Sequence, residues 1–476
     1  MNLGQKHYIK LFNMRLLKIK AVTANSFDVY LFFIPLLSIR TSGRKTNVNL
    51  LFVQKMYESI KKKYNKIFNA KKNRKNRTNI IQKFKNGETL KICLMTSRPG
   101  MWNYDYLYKI LKKDARFEVV SVVMPDPFQG KEAMLRYLEE SIKELKEKGI
   151  NAICGWDYEN NCSLKFQAEV NPDLILYSDF WYPHFAKSDF YILDNLDKIT
   201  MLNDYGFNVM QENKVVVFEL NNLVDMYFRQ TNFHKEMAEP LMKNKGQNIK
   251  IVGSPKLDPI FDENFQPQDP WKKQDKPKKR IIWAPHHNRY MPADMYCCNA
   301  FWEIYNDMLN IAQKYKDEVQ FAFRPHPMLR EKISKAWGEY IVNDYFNKWE
   351  TLENTQVSEG NFIDLFMTSD AMIMDCCSFL AEYSAFNKPL FYTRTKTSRL
   401  VLNEFGEKLF ENVYDTNKDL VPDIENFIQD VVINGNDYKK EQRTQFVQQY
   451  FGKFNGKTAS ENIYDEIIKF LEKGEV

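Results

Sequence analysis

The chain has 476 residues, 44% hydrophobic and 14% aromatic, and a formal net charge of +7. At roughly 100–200 residues per domain this length holds two or three domains, and the composition excludes collagen-like, disulfide-scaffold and largely disordered chains. The charge is unevenly divided: residues 1–91 carry 21 Lys+Arg against 3 Asp+Glu, a balance of +18, which leaves −11 on the remaining 385.

Residues 1–90 read as a basic, partly helical, membrane-associating region. The most apolar run, Val29 to Leu37, has nine residues with Pro35 inside, far short of the roughly 20 that cross a bilayer. Its aromatics Tyr30, Phe32 and Phe33 suit the depth of lipid headgroups. From Lys61 to Lys91 stand twelve Lys+Arg and one acid, Glu88, a cluster that an anionic leaflet attracts at about 1 kcal/mol per cation. A solvated linker and a nucleic-acid-binding arm are the alternatives, but no zinc-finger spacing, RNP-type aromatic strand or basic zipper accompanies the charge. The seven cysteines form no even framework, and two adjacent pairs, Cys297–Cys298 and Cys376–Cys377, point to a reducing compartment. The place expected is cytoplasmic, peripheral on the inner face of the cell membrane, with no nucleic-acid partner.

From Lys91 onward short apolar runs alternate with amphipathic stretches, the pattern of βαβ units around parallel sheets. Strands are predicted at 92–96, 119–124, 152–156, 174–178, 199–203, 215–220 and 249–253, with a helix over 131–148 among the connections. A polar, proline-bearing segment, 262–279, reads as a linker. The alternation restarts with strands at 280–284, 319–324, 372–375 and 389–393. The expectation is α/β: one Rossmann-like unit over 91–261 and a second over 280–476, facing a cleft. In open α/β sheets ligands bind beyond the carboxyl ends of the strands, so the strand ends carry the functional candidates.

Three predicted strands of the second unit end in polar clusters. The first runs into Pro285-His286-His287, the second into Arg324-Pro325-His326-Pro327, and the third, Met372 to Asp375, into Cys376-Cys377-Ser378 and a helix through Glu382. Ser378 suits a helix N-cap, where backbone N–H groups and the helix dipole favour a phosphate. Histidine and arginine neutralise charge that develops on a diphosphate leaving group. No Gly-x-Gly-x-x-Gly follows a strand. Gly452 to Thr458 is one residue short of a phosphate-binding P-loop and does not follow a strand. The six histidines show no metal-ligand spacing and there is no Asp-x-Asp clamp. A metal-independent reaction is expected, with no cofactor besides the donor.

These residues resemble the CDP-glycerol glycerophosphotransferase family of bacterial surface-polymer synthesis. The resemblance runs through Gly253-Ser-Pro-Lys-Leu-Asp258, Trp283-Ala-Pro-His-His287, Phe323-Arg-Pro-His-Pro327, Asp364 to Asp370, Met374 to Tyr383 and Lys388 to Tyr392. Trp102-Asn-Tyr-Asp105 and Asn203-Asp-Tyr-Gly-Phe207 extend it into the first unit. It implies a GT-B-like fold and the transfer of a polyol phosphate from a CDP-linked donor to a lipid-linked or polymeric acceptor. By motif position His326 and His286 would serve the chemistry. Arg324, His287, Asp375, Cys377, Ser378, Glu382 and Lys256 would hold the donor. The family's His-Gly-Thr-Pro base motif is absent. Near its place stands Asp204, which with His184 is the candidate for the acceptor's proton. A nucleotide-sugar glycosyltransferase would use the same diphosphate site and is the alternative reading.

Overall fold

The computed structural model describes residues 74–178, 188–204, 206–211, 221–288, 298, 300–359 and 362–474, together with the backbone of five strands before residue 49. Those strands, β1 (Lys6–Leu11), β2 (Met14–Thr23), β3 (Ser26–Leu31), β4 (Ile34–Ser42) and β5 (Lys45–Val48), pair in sequence order as an antiparallel sheet within a compact unit that ends at Lys75. The apolar run Val29 to Leu37 is thus divided between β3 and β4. Among the described residues no helix is long and apolar enough to cross a membrane.

Residues 76–476 form a second compact unit built on two parallel sheets. The first contains β6 (Leu90–Thr96), β7 (Phe117–Val123), β8 (Ala152–Cys154), β11 (Leu174–Tyr177), β12 (Ile199–Asn203), β13 (Met226–Arg229) and β14 (Ile249–Ile251). Its order is β14-β13-β12-β11-β6-β7-β8. A two-stranded ribbon, β9 (Trp156–Asp157) with β10 (Cys162–Ser163), follows β8. The second sheet contains β15 (Lys279–Ala284), β16 (Val319–Phe323), β17 (Thr355–Val357), β18 (Ala371–Met374), β19 (Leu390–Tyr392) and β20 (Tyr414–Asp415), in the order β17-β16-β15-β18-β19-β20. In each sheet the chain moves outward in one direction and then in the other, which leaves a topological switch between β6 and β11 and another between β15 and β18. Crevices at such switch points are where α/β sheets bind ligands.

The central strands are buried on both faces, as their continuous apolar runs require. In the second sheet Ile281, Trp283, Phe321, Phe323 and Ile373 pack on helices Phe301–Lys314 and Glu339–Thr351, while Ile282, Ala284, Met372 and Met374 serve the opposite face. Trp283 and Trp349 pack in a tilted arrangement with ring centroids 5.3 Å apart, and truncating either to alanine costs about 3–5 kcal/mol. Helix Lys131–Glu147 matches its predicted span almost to the residue.

The segment 262–279 has no helix or strand before Lys279, yet it is pinned. Trp271 is buried and its indole N–H donates to Thr368 Oγ1 at 2.9 Å. The last helix, Ala459–Lys473, returns to the first sheet and packs Ile463, Ile467 and Leu471 into the core of β6 and β11. Asp258 fixes its start, accepting from the backbone N–H groups of Ala459 and Ser460, both at 2.9 Å. Gly253 has φ +93°, and a Cβ there would stand 3.3 Å from the Ala459 Cβ, so both ends of the Gly253–Asp258 segment have a structural role. Thr458 caps the same helix in a capping box with Glu461, which gives the P-loop-like segment an ordinary use. The strand predicted at 215–220 lies outside the described residues.

Candidate active site

Strand β15 lies between β16 and β18, so the three polar strand ends separated in sequence converge. Past β16 the backbone stays joined to β15, with Arg324 N–H donating to the Trp283 carbonyl at 2.8 Å and His326 N–H to the Pro285 carbonyl at 3.0 Å. His326 then becomes the N-cap of helix Pro327–Trp337, with Pro327 at the first helical position, a favourable pairing because proline there gives up only an N–H that would be orphaned. On the other side of β15, Asp375 is completely buried. Its two carboxylate oxygens accept from the backbone N–H groups of His286 (2.6 Å) and Ala300 (3.0 Å).

The result is a cluster of three imidazoles. Ring centroids are 4.2 Å apart for His286 and His287, 4.2 Å for His287 and His326, and 4.9 Å for His286 and His326. Burial, reinforced by neighbouring positive groups that include Lys332, lowers His286 to about 2, His287 to about 4 and His326 to about 3. All three rings are therefore neutral near pH 7. His326 Nδ1 accepts from the Met328 backbone N–H at 3.1 Å, and His286 Nδ1 accepts from that of Asn288 at 3.3 Å. A neutral ring that accepts at Nδ1 carries its proton on Nε2. Two of the three rings thus present an Nε2–H donor.

A nitrogen-bound metal is the other occupant such a cluster suggests, since one ring nitrogen from each histidine lies within 4.8 Å of the others. Spacing in the sequence did not reveal this grouping. The tautomers oppose it, because ligation through Nε2 requires the proton to sit on Nδ1, where two rings already accept a backbone N–H.

The other predicted site residues divide. Arg324 belongs to the same strand-end segment as His326, but its guanidinium lies 5.8 Å from the Phe379 ring centroid and interacts with Glu359 and Glu382; burial lowers it only to about 10, so it stays charged. Cys377 opens helix Cys377–Ser384, and a hydrogen bond with Cys298 lowers its thiol pKa; the Ser378 side chain lies outside the described residues. Asp375 is pushed up to about 6 by burial, and because both its oxygens hold backbone N–H groups, it positions His286 and is not open to a donor. Lys256 and Glu382 form a buried ion pair with each other at 3.2 Å. Asp204, at the end of β12, is engaged by Arg229 at 3.0 Å and by the Tyr227 hydroxyl at 3.2 Å. His184 lies outside the described residues. Sequence reasoning missed Lys332, whose only signal was its place on the helix that His326 caps.

Two parallel α/β sheets whose strand ends carry these clusters place the chain among GT-B-like proteins. Solved structures agree on that fold. A variant of the wall teichoic acid polymerase TagF matches at TM-score 0.51 and 15% identity, covering 86% of this chain and 98% of that one. A UDP-N-acetylglucosamine 2-epimerase matches at TM-score 0.51 and 15% identity, covering 81% and 97%. Residues 199–469, more than half of the chain, match the CDP-glycerol:poly(glycerophosphate) glycerophosphotransferase family, and the chain belongs to that family. Among curated proteins it is similar to the teichoic acid poly(ribitol-phosphate) polymerase of Bacillus spizizenii, 24% identical over 231 residues, covering 47% of this chain and 34% of that protein. It is also similar to the teichoic acid ribitol-phosphate polymerase TarK of Staphylococcus aureus, 23% identical over 240 residues, covering 47% and 41%. The matches thus span between about a third and two-fifths of these relatives' own length.

Proposed function

We propose that the chain transfers a polyol phosphate from a CDP-linked donor to a lipid-linked or polymeric acceptor in the synthesis of a bacterial surface polymer, at the inner face of the membrane. The second half would bind the donor and the first the acceptor. The observation that carries this reading is the cluster of neutral imidazoles at the β15–β18 switch, with Nε2–H donors fixed on His286 and His326. Membership of the glycerophosphotransferase family and the ribitol-phosphate polymerases among its relatives support the choice of donor class.

In the reaction an acceptor hydroxyl oxygen attacks the donor's β-phosphorus. The new P–O bond forms as the bond to the bridging oxygen breaks, and CMP leaves with that oxygen. The Nε2–H groups of His286 and His326, with Lys332 near them and Arg324 on the same strand-end segment, meet the negative charge gathering on the diphosphate. The hydroxyl proton passes to water on the acceptor side, and CMP leaves as the anion. Asp204, held by Arg229 and Tyr227, has a positioning role there and is not the base.

His326→Asn is the test. Asparagine is itself a good N-cap, so the helix keeps its start while the imidazole donor is lost. With CDP-glycerol or CDP-ribitol and a polyol-phosphate acceptor, CMP release coupled to transfer should fall about 100- to 1000-fold, the usual consequence of losing one such donor. Undiminished turnover would sink the assignment.

A further inference from the structure

We infer that the carboxyl edge of the first sheet, at the β6–β11 switch point, is a binding subsite for a polyol chain. Parallel pairing places Met95 opposite Tyr177 and Tyr177 opposite Leu202. One residue further along, Thr96, Ser178 and Asn203 therefore form a row across three adjacent strands, roughly 4.8 Å from strand to strand. Asn103 stands at the same edge, in the loop that leaves β6, and Gln230 follows the end of β13. All five are buried: Thr96, Ser178 and Asn203 are 1% exposed, and Asn103 and Gln230 5%.

Four of them have unused hydrogen-bonding capacity. Thr96 Oγ1, Ser178 Oγ, both amide atoms of Asn103 and Gln230 Oε1 have no hydrogen-bond partner among the described residues. A buried polar atom left without a partner is costly, and native folds seldom keep several together without an occupant. The chemistry of the set specifies that occupant. Hydroxyls and amides both donate and accept, as the hydroxyls of a polyol do. Among the described residues Arg98 at this edge is matched by Asp126 and Arg229 by Asp204, so the described part of the edge is polar with its cations paired. The diphosphate cluster of the second sheet, by contrast, is rich in donors and cations. Crevices at switch points bind ligands, and this polar row stands at the switch point of the first sheet.

The inference rests on the transferase reading only for the source of the polyol, which is either the acceptor's end or the head of the donor. Thr96→Val and Asn103→Leu keep shape and remove polarity, Ser178→Ala removes a hydroxyl, and none of these residues belongs to the imidazole cluster. Ligand-observed NMR with free ribitol and with free glycerol should report binding to the full-length wild-type protein and its loss in the triple variant. CDP binding should be equal in both, and the unfolding midpoint should be unchanged or higher, because no existing bond is broken. In steady-state transfer, each single variant should raise KM about 3- to 10-fold, for the acceptor if its end occupies the site and for the donor if its head does. The inference is overturned if ribitol and glycerol give no response, or the same response in both proteins. It is equally overturned if the variants lose stability with no change in either KM, the mark of buried water as the occupant. Failure of the wild-type protein to bind CDP would count against the transferase reading and leave the polyol titration to decide this one.

Discussion

Lys256 and Glu382 are 126 residues apart in sequence and face each other at 3.2 Å with side chains 8% and 2% exposed. Lys256 belongs to the 3-10 turn that follows the first sheet and Glu382 to the helix that opens at the proposed diphosphate site. Lys256→Met should leave a buried carboxylate without its partner, at a cost of about 3–5 kcal/mol, and Glu382→Leu should cost a similar amount. The double variant should recover most of that loss, because two apolar side chains of similar volume replace a pair that was expensive to desolvate. A coupling of at least about 2 kcal/mol is therefore expected from urea unfolding of the four proteins, followed by both fluorescence and circular dichroism to check that one transition is being measured. In parallel, calorimetric titration should show CDP affinity in Lys256→Met within about tenfold of wild type. A lysine that instead neutralises the donor's phosphates would give the opposite pattern, with stability barely changed, CDP affinity down by more than tenfold and additive single effects. That outcome would refute the reading of Lys256 and Glu382 as a structural ion pair.

The Asp204→Asn variant should keep most of its transfer activity, since Arg229 and Tyr227 already engage the carboxylate; a loss beyond about 100-fold would make Asp204 the base after all. Chelation by EDTA should leave turnover unchanged, because the His286 and His326 tautomers oppose metal ligation; loss of activity restored by a divalent ion would contradict that. Low pH should weaken the fold through the imidazoles. Their folded pKa values, about 2 to about 4, lie below the ordinary value near 6.5, so the unfolded chain takes up protons first and stability falls as pH drops below about 6.5. Asp375 and Asp258, both raised to about 6 by burial, act in the opposite sense between about 4 and 6. Comparing wild type with His326→Asn isolates one ring. The variant should gain on wild type by up to about 1.4 kcal/mol for each pH unit lost between about 6 and 4, and parallel pH profiles would show that the ring is not buried as described.

Much of the α/β architecture was legible because strands buried on both faces must be short apolar runs. Ile199–Asn203 and Val319–Phe323 stand out in this way. Met226–Arg229 did not, since its tyrosine and arginine break the apolar pattern. The edge strands Thr355–Val357 and Tyr414–Asp415 are too short to show a period. The histidines were visible one at a time at strand ends. That they meet depends on β15 lying between β16 and β18, an order no local pattern encodes. Asp375, Lys256 and Glu382 were assigned to the donor by motif position, whereas the fold gives Asp375 to backbone N–H groups and pairs Lys256 with Glu382. The polar row at the first switch point was hidden for a similar reason: threonine, serine and asparagine at strand ends are unremarkable until pairing register places them side by side.

The claim on which the account depends most is that neutral imidazoles, protonated on Nε2, receive the donor's diphosphate. Nitrogen-detected NMR of histidine-labelled protein, titrated with CDP and separately with cytidine, reads this directly. His286 and His326 should appear as Nε2–H tautomers in the free protein at pH 7, and CDP should shift both while cytidine leaves them in place. Imidazole signals that stay unchanged at saturating CDP, or that already report charged rings in the free protein, would contradict it.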